Sequence, residues 1–222
     1  MPQQINRKIF FYFFLFIFLG TINNKNFNSF DFPKINSIKV YGLEKIDTNF
    51  VKSLDLFKLG NLFFINEFKL KEVFEKNNLI EEYKIFKRYP SMLEIEIVET
   101  KFLAKTKING NFFFIGSNGK LIETKNEISN LPFIFGDLDI KNFLDLKNII
   151  DNSELDFTKI KNLYFFPSGR WDIEVSSDLL IKLPNQNIKE SLDLSLNLLD
   201  NKKLNNINTI DVRQKNQVII NE

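Results

Sequence analysis

The stretch from Ile9 to Leu19 (IFFYFFLFIFL) is apolar without interruption and follows directly on Arg7 and Lys8. A helix packed into a water-soluble core keeps a polar side, whereas this run is apolar on every side of a helical wheel. It therefore calls for a lipid environment rather than a place in a globular core. Even extended to Ile22 it is shorter than the roughly 20 residues that span a hydrocarbon core, and its length suits the apolar region of a signal peptide as well. The residues that follow, Gly20-Thr21-Ile22-Asn23-Asn24, offer no convincing small-x-small cleavage site. That favours a retained signal anchor over residues 9–22 above a cleaved signal. The side chains expected to meet lipid are Ile9, Phe10, Phe11, Phe13, Phe14, Leu15, Phe16, Ile17, Phe18 and Leu19. Either reading exports the rest of the chain, and the two basic residues keep residues 1–8 in the cytoplasm. Residues 23–33 are polar and aperiodic up to Pro33, and read as a linker.

The 222 residues contain neither cysteine nor histidine. This removes disulfides, thiolate nucleophiles, Cys-ligated metals, the commonest general base and any Ser-His-Asp triad. An enzyme is not expected, nor a cofactor, a metal or a small-molecule substrate. Basic and acidic residues number 30 and 28 and are interleaved, so no basic block marks a nucleic-acid footprint. Phe occurs 26 times beside many Asn, Lys and Ile, the residue bias of an AT-rich coding sequence. Aromatic stripes here are therefore not taken as stacking platforms.

Residues 34–99 read as a β-α-α-β-β unit. Lys34 to Gly42 alternates, with Ile38 and Val40 on one face. Asp47 is a candidate N-cap for a helix through Phe57, with Phe50, Val51, Leu54 and Phe57 on its apolar side, and Gly60 ends it. Asn66 can cap a second helix striped by Leu70, Val73 and Phe74. Ile80 to Lys87 is a second strand, and a tight turn at Tyr89-Pro90 leads into Met92–Glu99. There Leu93, Ile95 and Ile97 point inward and Glu94 and Glu96 outward. These two carboxylates and the Glu81-Glu82 pair read as a solvated strand surface that discourages edge pairing.

Residues 100–222 read as a β-rich unit with two helices. Phe112–Ile115 and Lys120–Ile122 flank the hairpin loop Gly116-Ser117-Asn118-Gly119. Leu131-Pro132 and Gly136-Asp137 mark an irregular connection, and Lys141–Ile150 a helix. Lys161–Phe166, Arg170–Val175 and Leu179–Leu183 are strands, with Trp171, Ile173 and Val175 inward. Ile188, Leu192, Leu196 and Leu199 stripe a second helix. Ile207–Arg213 and Val218–Ile220 are the last two strands. Trp171, the single tryptophan, reads as core. Asp211 and Arg213 face away from Ile210 and Val212, as a surface ion pair or as a partner contact.

In the first unit, Val40-Tyr41-Gly42, the Gly60–Phe64 link and Arg88, Pro90, Leu93, Ile95, Ile97 and Glu99 together resemble a POTRA domain. In the second, Leu131-Pro132 with Gly136, Arg170-Trp171-Asp172, Leu183-Pro184 and Ile210-Asp211-Val212-Arg213 resemble the β domain of the FtsQ/DivIB family. Val212 replaces the Leu usual in that last motif. The resemblance implies an α+β protein: an N-terminal membrane anchor, a POTRA domain and a mixed β domain. It also implies a non-enzymatic division scaffold, single-pass in the inner membrane with its bulk periplasmic. FtsB- and FtsL-like division proteins are the implied partners, and the motif arginine, here Arg213, lies where FtsB docks. Val218, Ile219 and Ile220 are the expected open edge for a partner strand. Two rivals stand beside this reading. One is a POTRA-containing factor of outer-membrane protein assembly, which should carry several such units and a barrel. The other is a secreted carboxylate-based hydrolase, which needs two carboxylates converging in a pocket.

Overall fold

The computed structural model describes residues 7–22, 32–43, 48–123, 130–137, 139–175, 178–199, 207–214 and 217–221. The apolar run forms helix α1 (Arg7–Ile22). Its large apolar side chains from Ile9 to Leu19 are 43–77% exposed, so the described protein does not cover it. At 16 residues it rises about 24 Å, less than the roughly 30 Å of a hydrocarbon core. Among the described residues no helix is long and apolar enough to cross a membrane.

The first sheet gathers β1 (Ser37–Tyr41), α2 (Thr48–Asp55), α3 (Glu67–Glu75), β2 (Ile80–Arg88) and β3 (Met92–Glu99), with a 3-10 turn over Leu56–Leu59 after α2. The strands lie in the order β1-β3-β2, β1 parallel and β2 antiparallel to β3. This is the expected β-α-α-β-β succession. Leu93, Ile95 and Ile97 are buried against Phe50 and Leu54 of α2 and Leu70 and Phe74 of α3. Glu96 is exposed, so the alternation of β3 sets its register correctly. Asn66 caps α3, its Oδ1 accepting from Lys69 N at 3.0 Å. The Asp47 cap lies outside the described residues. Val51, expected on the apolar side of α2, is exposed instead. Gly42 ends β1 at φ +90°, where any Cβ would overlap the Ile97 carbonyl oxygen.

The second sheet has nine strands. They are β4 (Phe102–Ile108), β5 (Asn111–Gly116), β6 (Leu121–Glu123), β7 (Phe133–Phe135), β8 (Ile160–Phe165), β9 (Trp171–Val175), β10 (Leu180–Lys182), β11 (Thr209–Asp211) and β12 (Ile219–Asn221). Their order is β12-β11-β10-β9-β8-β7-β4-β5-β6. Helix α4 (Ile140–Asp151) links parallel strands β7 and β8, and α5 (Ile188–Leu199) lies between parallel β10 and β11. Parallel neighbours need such crossovers. The two helices touch each other, and Phe143, Leu146 and Ile150 of α4 and Leu192 of α5 share a core with Leu163, Trp171, Ile173, Ile181 and Ile210. They therefore cover one face and leave the other free of helices.

β4 and β7 are absent from the strand pattern read above. In β4 the buried positions are Ala104 and Thr106, small residues that carry little hydrophobic signal. β7 is only Phe-Ile-Phe, held between β4 and β8. It lies inside the stretch read as an irregular connection. Gly136, immediately after it, sits at φ +107° with the Phe165 carbonyl oxygen where a Cβ would be.

Candidate functional site

The helix-free face near the C-terminal edge of the second sheet carries Asp211, Arg213 and Ile219 of the residues singled out from sequence. Alternation along the strands puts Tyr164, Asp172, Lys182, Asp211 and Ile219 in one row across that face, in register through β8, β9, β10, β11 and β12. Arg213 follows β11 and binds Asp211 at two points. Its Nε donates to Oδ1 at 2.8 Å, and its Nη2 donates to Oδ2. The Arg213 N–H also donates to Asp211 Oδ1, at 3.1 Å. The guanidinium holds the Asp211 carboxyl below its usual range, chiefly through the side-chain hydrogen bond. The ion-pair alternative for these two residues is thus what the structure contains.

A cleft of about 470 Å³ opens beside this pair, lined by Ser168, Arg170, Asn185, Asp211, Arg213 and Ile219. A second, of about 610 Å³, is lined by Asn187, Glu190, Leu194, Val212, Arg213 and Val218, among others. Arg213 borders both, beside Ile219 in the first and Val218 in the second; Val218 packs towards the core, so of the expected edge residues only Ile219 shares the helix-free face with Arg213. Ile220 does not join them. It pairs with buried Ile210 on the core side and is half-buried.

Among the described residues β12 pairs with β11 alone and forms the edge of the sheet. The direction of its main-chain groups follows from its neighbours. Leu180 N donates to Asn208 O and Val212 N to Lys182 O, so the Asn208 carbonyl and the main-chain groups of Ile210 and Val212 turn towards β10. Thr209 and Asp211 then turn theirs towards β12, where they oppose Asn221 and Ile219. The Asn221 carbonyl indeed accepts from Asn208 N at 2.9 Å. It is therefore the Ile220 N–H and C=O that point away from the sheet, not those of Ile219. The open edge expected over Val218–Ile220 sits one residue later, at Ile219–Asn221.

Two polar groups here were not foreseen. Asp172 lies on β9 between Trp171 and Ile173 and is buried, its Oδ1 without a hydrogen-bond partner. Burial raises its pKa against the opposing pull of Arg170, Arg213 and Lys182, and Asp211 adds to the rise. Arg170 stacks over Phe166 at 4.0 Å, and its Nε is likewise buried and unpartnered. The Arg-Trp-Asp motif was legible in sequence, but not the burial of its charged ends. Trp171 itself is core, as expected, and packs on Phe165.

Two carboxylates of the first sheet, Glu94 and Glu81, hold structural partners. Arg88 Nε donates to Glu94 Oε2 at 2.7 Å, and Ser117 Oγ donates to Glu81 Oε2 at 2.6 Å. Glu81 is thus part of a joint between the two sheets rather than a solvated side chain. In that joint Asn118 Nδ2 donates to the carbonyls of Asn78 and Ile80, at 2.9 and 3.0 Å. Asn78 Nδ2 donates to Leu121 O at 2.9 Å, and Lys120 Nζ to Glu75 O at 2.7 Å. Among the described residues, no group of three or more acidic side chains is placed to hold a metal ion.

Comparison with known proteins bears on both halves. A family model described as "POTRA domain, FtsQ-type" matches residues 34–100, and one described as "Cell division protein FtsQ/DivIB, C-terminal" matches residues 104–213. Cell division protein DivIB of Clostridium botulinum (strain Loch Maree / Type A3) is 36% identical over 121 residues, 54% of this chain and 47% of that protein. Cell division protein FtsQ of Rickettsia bellii is 25% identical over 191 residues, 84% of this chain and 72% of that protein. The match thus spans about half the length of the DivIB relative. The solved major extracytoplasmic domain of DivIB from Geobacillus stearothermophilus is similar over 49% of this chain and 98% of that one, at 16% identity and a TM-score of 0.35.

Proposed function

Since the chain belongs to the FtsQ/DivIB family of cell-division proteins, we propose that it works as a non-enzymatic divisome scaffold that captures partner proteins by adding a strand to β12. The observation that carries this reading is the open edge of β12, with Arg213 beside it between two clefts. A partner strand laid against β12 would bond to the outward main-chain groups of Ile220. Ile219 and Val218 offer apolar contact, and Arg213 offers a guanidinium to a partner carboxylate in exchange for Asp211. The partners we assign are FtsB- and FtsL-like division proteins.

In this proposal residues 9–22, with adjoining residues to complete the span, form an uncleaved inner-membrane anchor. Residues 1–8 stay in the cytoplasm, 23–33 link, and the units at 34–99 and 100–222 act outside it at the septum. The exposed apolar surface of α1 from Ile9 to Leu19 supports the anchor. Alkaline carbonate extraction of native membranes should leave an unprocessed chain in the pellet, whereas a mature N-terminus near Asn23 would refute retention.

The docking test is co-purification with the native FtsB-like protein. Ile220→Pro removes the outward N–H donor at a position where an edge strand tolerates proline. Arg213→Glu places a carboxylate against the partner's carboxylate. Each should reduce recovery about tenfold, equivalent to about 1.4 kcal/mol, while circular-dichroism melts stay near the parent's. Full recovery of the partner by both folded variants would place docking elsewhere.

A further inference from the structure

An exposed aromatic cluster marks the point where the first folded unit begins. Phe32 precedes β1, and its ring lies 5.0 Å from that of Phe63 and 5.5 Å from that of Phe64; Phe63 in turn lies 4.9 Å from Tyr89. None of these rings is buried in the unit's core, and Phe64 is 73% exposed. The display is held in place rather than loose. Asn61 Oδ1 accepts from both Phe63 N and Phe64 N, at 3.1 and 3.0 Å, fixing the turn that carries the two rings. Lys34 bridges to Asn61, and Ile35 N donates to Gly60 O at 2.9 Å, so the incoming chain is clamped against that turn. Beyond Phe64 the apolar surface continues into a recess between the 3-10 turn and α3, lined by Leu56, Phe57 and Ile65. A monomeric soluble surface rarely gathers so many apolar side chains without a use.

The use is indicated by where the patch is tethered. The apolar helix α1 ends at Ile22, ten residues before Phe32, and a chain of that length reaches at most about 35 Å. With α1 in a bilayer, Phe32 and the rings packed on it stay within about 35 Å of the helix end, close enough to rest on the lipid surface. Phe and Tyr are suited to the headgroup boundary, where an apolar ring sinks among the acyl chain ends. Lys34, exposed beside the cluster, and Lys87 and Arg88, which precede Tyr89 in the chain, supply nearby cations for anionic headgroups. Lys87 and Arg88 are already paired, with Glu67 and Glu94, so Lys34 is the cation most available to lipid.

We propose that the cluster Phe32, Phe63, Phe64 and Tyr89 is a membrane-seating surface, resting on a phospholipid bilayer and fixing the height and tilt of the first unit above it. This rests on the proposed anchor and adds a second membrane contact, made by the folded unit itself. Seating here leaves the β12 edge in the other unit free for a partner strand.

The test uses the full chain reconstituted into phosphatidylcholine–phosphatidylglycerol vesicles, with lipids brominated near the headgroup as quenchers. Phe64→Trp adds a reporter to the cluster, and Tyr89→Trp serves as a second should the first variant fold poorly. Phe112→Trp, at an exposed position of β5 in the second unit, is the control. Trp171 is buried and gives a constant background read from the parent chain. The added emission of Phe64→Trp should fall about twofold with brominated lipid, while that of Phe112→Trp stays unchanged. If a carbonate wash strips the chain from the vesicles, the anchor reading fails and the seating proposal with it. If the chain stays anchored but Phe64→Trp is quenched no more than Phe112→Trp, only the seating proposal is overturned, and the cluster faces something other than lipid.

Discussion

Replacing Asn118 with alanine tests whether the two folded units are locked by the hydrogen bonds between them. Asn118 Nδ2 donates to the Asn78 and Ile80 carbonyls, and both bonds cross from the hairpin loop of the second unit to the end of α3 and the start of β2. Each such bond is worth about 0.5–1.5 kcal/mol net, so losing both costs about 2 kcal/mol, roughly a thirtyfold shift in the folding equilibrium. A third bond, from Lys120 N to Asn118 Oδ1, lies within the loop itself. Asn118→Asp keeps that acceptor and loses both donors, setting a carboxylate against two carbonyls, so it should be at least as harmful as alanine. The assay is urea unfolding followed by Trp171, the single tryptophan and buried in the second unit. The decisive comparison adds Ile95→Asp, which unfolds the first unit and removes the acceptors. In that background Asn118→Ala should cost less than about 0.5 kcal/mol, because partners that no longer meet no longer couple. An equal loss in both backgrounds would mean that Asn118 only shapes its own loop.

Two further predictions concern single positions. Ile95→Asp places a carboxylate at a fully buried position of β3 and should unfold the first unit, since burying an aliphatic side chain there is worth roughly 1.5–3 kcal/mol and an uncompensated charge adds more. Glu96→Gln, on the exposed side of the same strand, should be close to neutral in the same circular-dichroism melt, and equal effects of the two would overturn the register. For Asp172, burial holds the folded-state pKa above the unfolded one, so the folded state binds the proton more tightly. Stability from this group is therefore present at low pH and falls as pH rises from the unfolded value of about 3.9 through the raised folded one. Asp172→Asn should be at least as stable as the parent at pH 7, with that advantage shrinking as pH drops through the window. A variant less stable than the parent at pH 7 would show that Arg170 and Arg213 outweigh the burial.

Strict alternation made some elements readable from the residues alone. β3 buries every second side chain as its pattern demands, β9 buries Trp171, Ile173 and Val175 as expected, and Asn66 caps α3 where its side-chain oxygen can reach an unpaired N–H. β4 escaped because its inward positions are Ala104 and Thr106, and Thr106 meets the Ile134 carbonyl with its hydroxyl, a satisfaction no pattern announces. Asp172 escaped for the opposite reason. Its place on the outward side of a strand implies solvent, but the neighbouring β8 and β10 and the nearby arginines close over it. Arg213 and the final strand were readable as a site, yet which residue of β12 turns its amide outward depends on pairings with β11 and β10. The joint at Asn118 joins residues about 40 apart in a chain already rich in Asn, so nothing distinguished it from background.

The strand order of the second sheet also sets a timetable. From β7 to β12 each strand pairs with the one made just before it, so a chain emerging from its N-terminal end can add them outward one by one. The exception is β4, whose second edge waits for β7 while β5 and β6 are laid on its far side. Local additions of this kind keep contact order low and shorten the exposure of unpaired edges. Of the described strands, β12 is the last to arrive. Until it does, the outermost rail is β11 or an earlier strand, with different main-chain groups and no Ile219 or Ile220. A partner that reads β12 consequently recognises only chains whose sheet has been built out as far as β12, so the act of docking doubles as an inspection.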